Sequence, residues 1–201
     1  MAERHNLNPS IIVMTQSNKR QQQAKVLRLF RQLHRQTGVL LFVFFAIVSI
    51  TTILLGWKKN SGGMIQAKSY KGTSTNLKDW LPMDSLHTIA CRVLHDSVSK
   101  DLSLELDRID VRQDKGMVKF IFVDDFLGVQ LDGATGELLH IEKRWSDLIE
   151  KIHDGSILDY YFNTSNDAFK LIYTTIMGVA LMIFTVTGFW LWYGPKRMRK
   201  Q

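Results

Sequence analysis

The stretch Gln36–Trp57, QTGVLLFVFFAIVSITTILLGW, decides the architecture, because it runs for 22 residues without a charged side chain. A second stretch, Leu171–Pro195, LIYTTIMGVALMIFTVTGFWLWYGP, runs for 25. About 20 mostly apolar residues suffice to cross a hydrocarbon core roughly 30 Å thick. Core helices of soluble proteins seldom continue this long without a charge, so both runs read as transmembrane helices. The first is not a cleavable signal. Its apolar part is too long, and Leu55-Gly56-Trp57 leads into Lys58 with no small-residue cleavage site. It is expected to remain as an anchor.

Working outward, charge separates along the chain. The net charge of +7 is made by basic ends around an acidic middle. Arg28, Arg31 and Arg35 precede the first span, and Lys196, Arg197, Arg199 and Lys200 follow the second. Basic residues at both outer flanks place both termini in the cytoplasm, with Lys58 and Lys59 outvoted. The middle therefore lies outside the cytoplasm. The basic balance reads as topology and lipid contact, and it points away from nucleic acid, since the middle carries no basic face interleaved with aromatics. Cys91 is the single cysteine, which excludes an intrachain disulfide and any cysteine-based zinc or iron–sulfur site built from this chain alone.

Six segments follow. Residues 1–18 are polar and aperiodic, and disorder is expected there; Met1 and Met14 are both open as the native start. Residues 19–35 form a basic amphipathic helix with Val26, Leu27, Phe30 and Leu33 on one side, which lies on the leaflet or simply leads into the span. Residues 36–57 are the first span, 58–167 the external domain, 168–195 the second span and 196–201 a cytoplasmic tail. In the domain, Ser61–Leu81 reads as a loop. Pro82 and Asp84 announce a helix whose apolar face is Leu86, Ile89, Ala90, Val93 and Leu94. Alternation over Leu102–Val111 changes phase near Asp107-Arg108, which predicts a bulge. Strands follow at Met117–Val123, Phe126–Leu131 and Leu138–Ile141, separated by turns at Asp114-Lys115-Gly116, Asp124-Asp125 and Asp132–Gly136. Trp145, Leu148, Ile149 and Ile152 make a short amphipathic helix. The fold class is membrane α+β: two transmembrane helices flanking a small domain in which a helix packs on an antiparallel meander of three or four strands.

The segment Val129-Gln130-Leu131-Asp132-Gly133-Ala134-Thr135-Gly136-Glu137-Leu138 resembles the strand–turn–strand signature of a PepSY domain. Leu33-His34-Arg35-Gln36-Thr37-Gly38, Ile152-His153-Asp154-Gly155, and Thr187-Gly188-Phe189-Trp190-Leu191-Trp192 with Pro195-Lys196 resemble elements of the PepSY-associated transmembrane helix family. The four motifs stand in that family's order, over about residues 28–197. The resemblance implies a bacterial inner-membrane protein with a periplasmic PepSY-like domain. It implies one of two functions. One is a non-catalytic binding or accessory subunit, in iron uptake. The other is a haem b electron-transfer component of a ferric-siderophore reductase system. This chain departs from the reductase pattern in carrying a single pair of spans.

Histidine is the residue type that would hold haem iron. His34 and His153 are the candidate ligands, and each precedes a span. From His34 to Trp57 is 23 residues, about 35 Å of helix, so one haem cannot take both. A homodimer would supply each histidine twice, and a hetero-oligomer with other membrane proteins is the other arrangement. The plainer readings are an interfacial polar residue and a helix-terminal one. His87, Cys91 and His95 recur every four residues, but His87 and His95 are about 12 Å apart along the axis, too far for one metal ion. Asp124-Asp125 and Asp132-Glu137 are explained by turn chemistry. There is no nucleophile–base pair and no phosphate loop, so a self-contained hydrolase or nucleotide enzyme is not expected. Ser49, Thr51, Thr52, Thr174, Gly178, Thr185, Thr187 and Gly188 are small or weakly polar positions suited to helix contacts, within the chain or between copies.

Overall fold

The apolar run at Gln36–Trp57 lies inside one uninterrupted helix, α1 (Pro9–Trp57), in a computed structural model that describes residues 9–199. Residues 9–18 are therefore helical where disorder was expected; residues 1–8 lie outside the described residues. Proline is tolerated in a first turn, and the Gln-, Lys- and Arg-rich stretch that follows consists of good helix formers. Extending a helix that already exists also avoids the cost of nucleation. The second run lies in α5 (Ala168–Arg199), which continues through Pro195 into the expected tail. Only 6% of the apolar window of each helix is buried, and Leu40 and Met182 are 77% and 69% exposed. Helices so apolar and so uncovered are suited to lipid and not to a soluble core.

The chain forms two compact units, one from α1 up to Val48 with residues from Leu158 on, the other Ser49–Ile157. In the first, α1 and α5 pack antiparallel. Phe30 meets Trp190 with ring centroids 5.8 Å apart, Phe45 meets Phe184 at 5.8 Å, and Phe44 meets Tyr173 at 6.2 Å. Thr187 and Ala180 are buried in the seam. A short helix, α4 (Ser156–Phe162), precedes α5. From it Asp159 accepts backbone N–H bonds from Phe169 at 3.0 Å and Lys170 at 2.8 Å, and also the Thr164 hydroxyl. One carboxylate thus satisfies free donors at the start of α5, where the helix dipole also favours negative charge.

The second unit is the α+β domain. Helix α2 (Met83–Ser97) precedes β1 (Leu106–Arg112), β2 (Met117–Phe122), β3 (Leu127–Asp132) and β4 (Leu138–Lys143), and α3 (Trp145–Asp154) follows. The four strands form an antiparallel sheet in the order β1-β2-β3-β4, with a register shift between Leu106 and Arg108 where the phase change placed the bulge. On one face Leu86, Ala90 and Leu94 of α2 pack with Val118, Phe120, Phe122, Val129 and Leu131.

The opposite face is covered too, and every residue of β2 is buried. Residues 65–76, read from sequence as loop, lie across it as a strap. Gln130 holds the strap through Tyr70 N–H at 3.1 Å and the Lys68 carbonyl at 3.0 Å. Asp132 accepts Thr73 N–H at 2.8 Å, and Gly72 N–H donates to the Lys115 carbonyl at 2.8 Å. Where strap and hairpin cross, both sides are glycine. Gly116 has φ +68°, and a Cβ there would lie 2.6 Å from the Ser74 carbonyl oxygen, while a Cβ on Gly72 would collide with the Gly116 carbonyl.

Candidate functional site

His34 sits in the α1–α5 seam. Its Nδ1 is 3.0 Å from Thr187 Oγ1, and its ring stacks on Phe184 with centroids 3.9 Å apart. A Cβ on Gly188 would come within 3.4 Å of His34 Cε1, so this glycine leaves room for the imidazole. The threonine fixes the ring's hydrogen bonding. Thr187 lies 2.7 Å from the Ile183 carbonyl and 3.1 Å from that of Phe184, on its own helix. With its proton given to that helix, the hydroxyl accepts from His34. In that arrangement Nδ1 is the donor, and the neutral ring's Nε2 lone pair is left for another partner.

His153, in the last turn of α3, has a similar neighbour. Thr51 Oγ1, near the end of α1, lies 2.9 Å from its Nδ1, and Thr51 is only 6% exposed. Gly155, at φ +80°, ends α3 just beyond it. Asp154 caps the next turn by accepting Ser156 N–H at 3.0 Å and its hydroxyl at 2.7 Å. The His-Asp-Gly element is thus a helix end that holds the imidazole against α1.

Sequence reasoning singled out both histidines but not their partners. Thr51 and Thr187 were recognised as weakly polar span residues suited to helix contacts. The further signal was that Thr187-Gly188 belongs to the same closing motif as the aromatics. Among the described residues no group of three or more His, Cys, Asp or Glu side chains converges as a metal site. His87 Nε2 approaches Cys91 Sγ at 3.4 Å, and its ring packs on Phe120 and Phe122 at the edge of the core. Burial pushes the Cys91 thiol up, which disfavours the reactive thiolate.

Haem can be tested against these donors. Each imidazole has Nδ1 engaged by a hydroxyl, the orienting contact that metal-bound histidines commonly have. Each could therefore offer Nε2 to an iron. An apolar groove of about 440 Å³ runs along α1 and α5 past Leu33, Leu40, Ile176, Val179 and Ile183, but His34 is not part of its wall. A haem at either position would take one imidazole from this chain.

A second polar cluster in the domain was not anticipated. Glu142, 4% exposed, accepts Gln130 Nε2 at 2.5 Å, Lys119 Nζ at 3.3 Å and Arg144 Nη1 at 3.0 Å. Arg144 and Arg108 both reach Asp147 at 2.7 Å. Burial lowers the Lys119 pKa although Glu142 works the other way. Burial also works upward on Asp147, but the hydrogen bonds from Arg144 and Arg108 outweigh it and hold that carboxyl below its usual range. The sequence signal was a lysine at the centre of Met117–Phe122, where burial on both faces leaves it no route to solvent.

Two lipid-suited helices around an α+β domain, with one histidine set against each end of the first apolar run, define a two-span membrane protein with an inserted soluble-type domain. The chain belongs to the PepSY-associated TM region family, which matches residues 10–194. Comparison with curated proteins and with solved structures gives no match. The protein is a membrane-associated PepSY protein.

Proposed function

We propose that this chain is a non-catalytic subunit of a transmembrane electron-transfer assembly in a bacterial inner membrane, with the PepSY domain periplasmic and both termini cytoplasmic. In this reading His34 would hold one haem b and His153 another, each together with the same histidine of a second copy of the chain. The observation that carries it is the pairing of both histidines, through Nδ1, with a threonine hydroxyl on a neighbouring helix. Haem, when bound, supplies a one-electron couple, while the protein sets ring orientation and excludes water. Thr187 holds the His34 ring and directs its proton to Nδ1. Phe184 covers one face of that ring. Ferric-siderophore reduction in iron uptake is the activity that the family resemblance favours.

The test is the visible spectrum of the full chain, purified in detergent after haem-replete expression. A Soret band is expected, with two haems per dimer, one at each pair of histidines, and H34A and H153A should each remove about half of it. Thr187→Val should retain haem but shift its reduction potential, because the ligand loses its orienting acceptor. A colourless wild-type protein that also fails to take up added haemin overturns the ligand assignment. It leaves the chain as a tethered PepSY binding subunit, the reading supported by the domain's self-contained core.

A further inference from the structure

In the domain, a cleft of about 500 Å³ opens beside the end of α1. Its wall includes Lys59, Gln66, Lys68, Arg112 and Lys115, and no carboxylate. Elsewhere in the domain Arg108, Lys119 and Arg144 are all ion-paired. Among the described residues the four cations of the cleft make no ion pair, and Lys115 reaches only the Ser69 carbonyl, at 3.5 Å. The wall is a built one. The Ser61 hydroxyl donates to the Lys58 carbonyl at 2.8 Å and accepts Ile65 N–H at 3.1 Å. Ser146 N–H bonds the Ile65 carbonyl at 2.9 Å, and Gln130 clamps the backbone at Lys68.

A second, independent feature lies in the same wall. Gln66 Oε1 is buried and is, among the described residues, the side-chain polar atom left without a hydrogen-bond partner. An acceptor closed off from solvent with no partner calls for a donor. The site therefore combines uncompensated positive charge with one acceptor that needs a proton. A phosphate group carrying a neighbouring hydroxyl or ammonium meets both demands. Depth identifies the source. Lys59 follows Trp57, the interfacial aromatic that ends α1, by two residues, which puts this wall at the level of lipid headgroups.

We propose that the cleft binds the headgroup of an anionic phospholipid of the outer face of that membrane, phosphatidylglycerol in chemistry. The phosphate lies among Lys59, Lys68, Arg112 and Lys115, and a glycerol hydroxyl donates to Gln66 Oε1 when that half-buried side chain turns its amide to the cleft. The inference stands apart from the haem assignment and does not use either histidine.

The test is native mass spectrometry of the full chain released from nanodiscs of phosphatidylcholine containing phosphatidylglycerol, alongside titration of the delipidated protein with inorganic phosphate. Wild type should retain phosphatidylglycerol over phosphatidylcholine. K68Q/R112Q, which alters side chains without ion pairs, should weaken retention by roughly thirtyfold, from about 1 kcal/mol per basic group near an anionic surface. Q66L should lower the preference for phosphatidylglycerol over phosphatidic acid, which lacks the headgroup glycerol hydroxyl. K58Q, which removes one charge near the same surface but outside the wall, should weaken retention by no more than about fivefold. Circular dichroism of each variant verifies the fold. Equal retention of the two lipids by wild type, or undiminished retention in K68Q/R112Q, overturns the proposal. Saturation by inorganic phosphate with no lipid preference overturns the lipid source and assigns the cleft to free phosphate.

Discussion

Glu142 shows how much can depend on one buried side chain. Its two oxygens serve Lys119, Gln130 and Arg144, and Gln130 in turn grips the strap. The partners are unequal. Lys119 is 3% exposed, and Glu142 is its ion-pair partner, whereas Glu142 retains Gln130 and Arg144 if Lys119 is removed. Leaving a buried charge uncompensated costs about 3–5 kcal/mol, while replacing a buried ion by an apolar side chain of similar size is often far cheaper. E142A is therefore expected to destabilise the domain by about 3–5 kcal/mol and K119M by clearly less. Chemical denaturation of the detergent-solubilised chain, followed by tryptophan fluorescence, measures both. Equal losses would mean that Lys119 has no special dependence on Glu142.

At the scale of elements, the strap depends on Asp132 as the sheet's opposite face depends on α2. Burial works to raise the Asp132 pKa, but hydrogen bonds from Ala134 N–H, Thr73 and Thr135 N–H outweigh it and hold the carboxyl below its usual range. The folded state thus favours the carboxylate more than the unfolded chain does. The stabilisation is fully present above the unfolded pKa of about 3.9 and is lost as pH falls towards and through the folded value. Below about pH 4 the segment around Thr73 is expected to release before the α2 face of the core, seen as faster amide exchange at Gly72 and Thr73 than at Phe120. D132N should release it already at neutral pH; identical exchange in D132N and wild type at pH 7 would remove Asp132 from this role.

These elements also mark what the sequence could disclose. The α2 stripe, the meander, its bulge and its turns were legible because each has a local period or turn residue. The strap was not, since residues 65–76 satisfy their backbone with side chains some sixty positions away, Gln130 and Asp132. Asp132 was read as a turn residue, and it does accept Ala134 N–H at 2.8 Å, but its other oxygen serves Thr73. His34 and His153 were legible as residue types beside spans. Their threonine partners were not, because a contact 153 or 102 residues away leaves no period to read.

For the whole molecule, the remaining question of orientation turns on a competition between unequal basic clusters. An even number of crossings puts both termini on one side, and the flanking cations choose which. Arg28, Arg31 and Arg35 lie before the first span and Lys196, Arg197, Arg199 and Lys200 after the second, against Lys58, Lys59 and the nearby Lys170 on the other side. The domain is long enough for its own charge to count little. With Cys91 replaced by alanine, a membrane-impermeant maleimide applied to intact spheroplasts is expected to label S99C and to spare Q201C, which reacts only after permeabilisation. Replacing Lys58 and Lys59 by glutamine should leave that pattern unchanged. Replacing Arg28, Arg31 and Arg35 by glutamine should weaken it and yield a mixed population, because the first span then loses its strongest inside signal. Labelling of Q201C in intact spheroplasts of the wild-type background would reverse the assigned orientation. It would also move the basic cleft beside Lys59 to the cytoplasmic leaflet and so overturn the outer-face source assigned to its lipid.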